Sequence, residues 1–194
     1  MSSDSRSSSG RGCGDASGIA ANPRLDLIVR IYIALYRPHS DEELGSFRAE
    51  PTVAAAIERA GRAITPAGKR YSHQRRLPGA LLAKAAKELR RARVGHATSF
   101  DDLHERVASA IGVLHGIGEL TVYDTALRIG AKLGLLPTKV YMHTGTREGA
   151  RALGLNWKAM SLPVRELPPE LRTLKPHEIE DCLCIFKDKL QGAV

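Results

Sequence analysis

Little in this chain speaks for a secreted or membrane-bound protein. Three cysteines (Cys13, Cys182 and Cys184) among 194 residues make no disulfide framework, and the odd number fits a reducing interior. No apolar core segment follows the serine-rich start, so no secretory leader is expected, and the expected location is cytoplasmic, on the nucleoid if the source is bacterial. The most apolar stretch, Leu25 to Tyr36, carries Asp26 and Arg30 and is too short to span a bilayer, so no membrane partner is expected. Aromatic residues make up only 5% of the chain, and alternating β-branched runs are scarce, which leans the fold to all-α. P-loop, dinucleotide, serine-hydrolase and kinase motifs are missing, as are repeats of solenoid length. Cys182 and Cys184 stand two apart in a helical stretch and would point about 200° apart, so they cannot share one ion. No metal and no other cofactor is expected.

What the chain does have is positive charge, +8 overall, which points to a polyanion as partner. The excess is concentrated between Arg59 and Arg93, where eleven lysines and arginines face one acid, Glu88. The first part, around Lys69, Arg70, His73, Arg75 and Arg76, lies between Gly68 and Pro78-Gly79 and reads as a loop. The second part, Pro78 to Arg93, reads as a helix with Leu81, Leu82, Ala85 and Leu89 inward and the cations outward. Self-repulsion on such a surface must be offset by something, and phosphates would do so. Tyr71 and His73 among the arginines suit either base stacking or packing.

Residues 1–22 hold almost nothing to bury and read as a disordered tail, with a single helical domain following over 23–194. Leu25, Ile28, Val29, Tyr32 and Leu35 share one helix face, which Pro38 closes. An acidic patch at Asp41–Glu43 suggests one helical turn, and Pro51 suits a helix start. Ser99 with Asp102 resembles a capping box. Thr146 is placed to cap a short helix to Leu153, and a last helix is expected over 176–190, with His177 and Asp181 paired one turn apart.

Between two runs of helical periodicity (Leu103, Val107, Ala110, Ile111, Leu114, then Val122, Ala126, Ile129, Leu133) stands Gly116-Ile117-Gly118. Glycines let the chain turn there and leave main-chain N–H groups uncovered at the next helix start, an arrangement that binds anions. Leu114-x-Gly116-Ile117-Gly118-x-x-Thr121-Val122 resembles the helix-hairpin-helix motif, here over about 103–133, and in particular its version in the base-excision DNA glycosylases of that class. The resemblance implies that Gly116, Ile117, Gly118 and Thr121 approach a DNA phosphate. It also implies a downstream loop reading roughly V-D-T-H-V, with a catalytic aspartate. Val140-Tyr141-Met142-His143-Thr144 stands there, followed by Arg147 and Arg151 in an arginine-bearing helix like the family's. Tyr141 occupies the aspartate position, and Leu120 stands where bifunctional members carry lysine. A phenol does not stabilise a cationic sugar centre as a carboxylate does, so the family's chemistry does not transfer to Tyr141.

Asp124, three residues after Thr121, either favours its helix N-terminus or faces a cleft with Tyr141 and His143 and supplies the carboxylate. His143 suits a general acid, a phosphate ligand or a structural role. The expected function is sequence-nonspecific binding of duplex DNA through its backbone, with Arg147 added to the hairpin and basic loop. Two alternatives stand beside it: a diverged glycosylase-like repair enzyme using Asp124, Tyr141 or His143, and a basic module that binds an acidic protein.

Overall fold

The computed structural model describes residues 22–191; the serine-rich segment expected to be a tail, and Cys13 with it, lies outside the described residues. The fold is mostly helical, with eight α-helices and one pair of short strands among those residues. Helix α1, Pro23–Leu35, starts where Asn22 accepts hydrogen bonds from the N–H groups of Arg24 and Leu25. Proline at its first position loses no bond there. The acidic patch expected to form one turn lies instead in the middle of a twelve-residue helix, α2, Arg37–Arg48. Only Leu44 and Phe47 of it are buried, so its amphipathic pattern was too sparse to read. Helix α3 (Val53–Arg62) is capped by Thr52, and α4 (Gly79–Arg91) packs along it. Ser99 caps α5 (Phe100–Ile111) as its spacing predicts.

Helix α6 (Glu119–Leu133) runs through the middle of the molecule and buries Thr121, Val122, Tyr123, Thr125, Ala126, Arg128 and Ile129. After it, β1 (Lys139–Tyr141) pairs antiparallel with β2 (Ser161–Pro163), with Val140 opposite Leu162. Between them lies α7 (Thr144–Ala152), which begins at His143 rather than at the expected Thr146 cap. Helix α8 (Pro176–Ile185) closes the chain. The expected His177–Asp181 pair does not form: Asp181 accepts from the Tyr32 hydroxyl at 3.2 Å, and the buried His177 Nδ1 has no partner.

Two hydrophobic clusters result. One joins α2 to α6; the other joins α1 to the strand pair, α7 and α8. The first and last helices among the described residues, α1 and α8, therefore pack together, and the first cluster is inserted between them in sequence. Each fully buried leucine in either cluster contributes on the order of 2 kcal/mol, so both seams are held by ordinary core packing. Cavities open where the clusters meet, one on each side of α6.

Candidate functional site

The turn between α5 and α6 is anchored by one side chain and open elsewhere. Ile117 is buried against the first cluster, and its N–H donates to Leu114 O at 2.9 Å. Gly116 is exposed with φ of 95°, a conformation that excludes larger residues, and an added Cβ would lie 3.3 Å from Leu81 Cδ2 of α4. Gly118 is exposed at φ −100°, with open space where a Cβ would be. No side chain caps the start of α6. Thr121, placed by the resemblance at the phosphate, is buried one turn further in.

The contact with Leu81 sets this turn beside the N-terminal end of α4 and so beside the basic segment. Part of that segment is neutralised, mostly by acids outside it. Arg59 pairs with Glu50, both Arg62 and Arg90 pair with Glu58, and Arg91 pairs with Glu88. Lys69, Arg75, Arg76, Lys84, Lys87 and Arg93 are exposed and make no ion pair among the described residues. Arg70 folds back to donate to Leu77 O at 2.8 Å, closing the loop on itself.

Asp124 fastens the basic loop to α6. Its carboxylate accepts from Gln74 Nε2 at 2.7 Å, and it stands 3.5 Å from His73 Nδ1 and 3.7 Å from the Arg128 guanidinium. Burial pushes its carboxyl up, but Arg128, His73 and Gln74 outweigh that and hold it below the usual range. The hydrogen bond to Asp124 in turn raises His73. Arg128 is buried, donates to Glu43 at 2.6 Å, and lies 3.8 Å over the Tyr71 ring. Tyr71 is therefore packing, not a free stacking platform, and His73 is tethered from below.

The catalytic trio expected around Asp124 is not assembled. Tyr141 and His143 line a cavity of about 500 Å³ between the hairpin and β1, whereas Asp124 faces the other side of α6. The reason is angular: Glu119, Val122 and Tyr123 point to the cavity, and Asp124, Leu127 and Arg128 point away. The Tyr141 hydroxyl donates to Asp101, which Lys139 also contacts at 2.9 Å. Burial and Asp101 together raise Tyr141, so it stays protonated. The His104 ring lies 4.5 Å from the Tyr141 ring, and burial lowers its pKa. His143 is bonded to Glu180 and Thr146, deep in the protein. The Tyr123 hydroxyl is buried with no hydrogen-bond partner.

Arg147 is not free to meet a phosphate. It donates to Ala159 O at 2.7 Å and Trp157 O at 3.1 Å, and its remaining reach is to Glu119 at 3.6 Å. Glu119 is the carboxylate on the cavity wall, a residue that sequence reasoning passed over. Its spacing of four from Tyr123 on one helix face was the available signal. His104, Asp101 and Glu180 carried no such signal, because their partners lie 37 to 40 residues away or across the cavity.

No family model, no curated protein and no solved structure matches this chain. No helix among the described residues is long and apolar enough to cross a membrane.

Proposed function

We propose that this protein binds duplex DNA without sequence preference, through the sugar–phosphate backbone. The observation that supports the reading is the approach of Leu81, in the first turn of α4, to the Gly116 turn, which suits an interface shared by the open, uncapped start of α6 and the exposed Lys84 of α4, unpaired among the described residues. Main-chain N–H groups at a helix start and the positive dipole end attract one phosphate. Arg75, Arg76, Lys69 and Lys84 attract its neighbours, and such contacts position a duplex without reading bases. Glu119 opposes an anion at this point, and its pairing with Arg147 offsets much of that charge.

Gly118→Glu is the clean test, because the position is open and its backbone strains no larger residue. Gel-shift titration at two salt concentrations should show about tenfold weaker duplex binding by the variant, with melting temperature unchanged. No binding by the wild type even at low salt would leave the acidic-protein partner as the reading; equal affinity of the two proteins would remove the hairpin from the interface.

The cavity beside the hairpin favours a second reading, an extruded base held there during repair. Its volume of about 500 Å³ and its Tyr123 and Tyr141 walls suit a flat ring. In this reading Glu119, not Asp124, is the carboxylate at hand. Duplexes bearing damaged bases, included in the same experiment, should then acquire cleavable abasic sites with the wild type and not with Glu119→Gln. Intact strands throughout would leave only binding.

A further inference from the structure

We infer that His143, Glu180 and Cys184 form a binding site for one zinc-type divalent ion. The three residues come from distant parts of the chain: His143 stands just before α7, while Glu180 and Cys184 are one turn apart on the same face of α8. Their ligand atoms, one nitrogen, one oxygen and one sulfur, all lie within 4.8 Å of one another. Around a tetrahedral ion with bonds of about 2.0–2.3 Å, ligands stand roughly 3.4–3.8 Å apart. Side-chain rotation that brings the thiol about 1 Å inward and parts the hydrogen-bonded His143 Nε2 and Glu180 Oε1 by a similar amount therefore forms the set.

The packing of α7 on α8 is shaped around the thiol. An added Cβ at Gly145 would lie 2.5 Å from Cys184 Sγ, so the sulfur occupies the space that any larger residue would fill. The site is also short of positive charge. Glu180 and Asp181 are neighbours on α8, Asp124 acts on both electrostatically, and the nearby Arg128 is already shared by Glu43 and Asp124. Burial raises Glu180, and burial with Glu180 and Asp181 pushes the Cys184 thiol up to about 12. On binding, the ion displaces the Cys184 thiol proton and the proton shared between His143 Nε2 and Glu180 Oε1, both leaving to solvent as the bonds from sulfur, nitrogen and oxygen to the ion form. Mixed nitrogen, oxygen and thiolate donors favour zinc over magnesium or calcium. Three protein ligands leave a fourth position, and His143 also lines the large cavity.

Cobalt(II) titration of the full chain, purified with chelator and then freed of it, tests the site. One equivalent should give a thiolate-to-cobalt charge-transfer band with tetrahedral visible bands, abolished by added zinc. Cys184→Ser should lose the charge-transfer band, and Glu180→Gln should weaken binding at least about tenfold, while Cys13→Ser and Cys182→Ser keep both. Zinc should also protect Cys184 of the wild type from alkylation, a readout that needs no variant to fold. No band in the wild type, a band that survives Cys184→Ser, a band lost with Cys13→Ser, or equal alkylation with and without zinc overturns the site.

Discussion

Replacing Arg75, Arg76 and Lys84 together by glutamine separates a phosphate-binding surface from a merely basic one. All three side chains are exposed and lack acidic partners among the described residues. Each phosphate contact contributes a slope of about −0.9 to the dependence of log affinity on log salt, so losing three should flatten the slope by about 2.7. Between 50 and 200 mM salt, a span of about 0.6 decades, the wild type should then lose about forty-fold more affinity than the variant. The matched control removes Arg59, Arg62 and Arg90, which Glu50 and Glu58 already occupy. Net charge falls equally in both triples. If only long-range attraction operated, the two would behave alike; if contacts operate, the control slope stays within about 1 of the wild type. Fluorescence anisotropy on a short duplex at five salt concentrations measures all three slopes. Equal slopes for the two triples would refute the assignment of contacts to the unpaired cations.

Two further outcomes concern stability, each measured by urea unfolding with chelator present. Asp181, raised from 3.8 to about 7 chiefly by burial and then by Glu180 and Asp124, holds a proton in the folded state that the unfolded chain releases. Stability should therefore fall as pH rises from about 4 to about 7 and level off above, by up to about 4 kcal/mol from this group; Asp181→Asn should remove that component, and parallel pH curves for variant and wild type would refute it. Tyr123→Phe deletes a buried hydroxyl that has no partner, so stability should stay equal or rise by about 1 kcal/mol; a loss of that size would mean the hydroxyl is satisfied.

Sequence reasoning reached those parts of the molecule that local rules decide. Ser99 caps α5 because the side chain and the N–H it accepts from are three residues apart, and the Gly116 turn is written in two adjacent helical periodicities. Helix α2 escaped because polar residues cover all of it except Leu44 and Phe47. The strand pair escaped because two three-residue segments, one ending in proline, are below the length at which alternation is visible. At the site the same division holds. The hairpin and the cations were legible, but which cations are neutralised was not, since Glu50 and Glu58 stand outside the basic segment. Nor was the task of Asp124, whose partner Gln74 lies 50 residues away in a loop.

That task bears on the chemistry as well as on the fold. Asp124, Gln74, Arg128 and Glu43 form one buried network, with Arg128 also stacked on Tyr71. For Asp124 to act as a catalytic carboxylate it would have to leave this network and turn to the opposite side of α6. Gln74 would then lose its acceptor, at a cost of about 1–3 kcal/mol for a buried amide left unpaired, and Arg128 would keep only the partly exposed Glu43 as carboxylate partner. The movement would also release the loop that carries Arg75 and Arg76, which the proposed DNA binding needs held in place. Holding the loop and attacking a sugar are therefore competing uses of one carboxylate, and the geometry commits Asp124 to the first. In the proposed repair reading the carboxylate would therefore come from the cavity side of α6, where Glu119 stands.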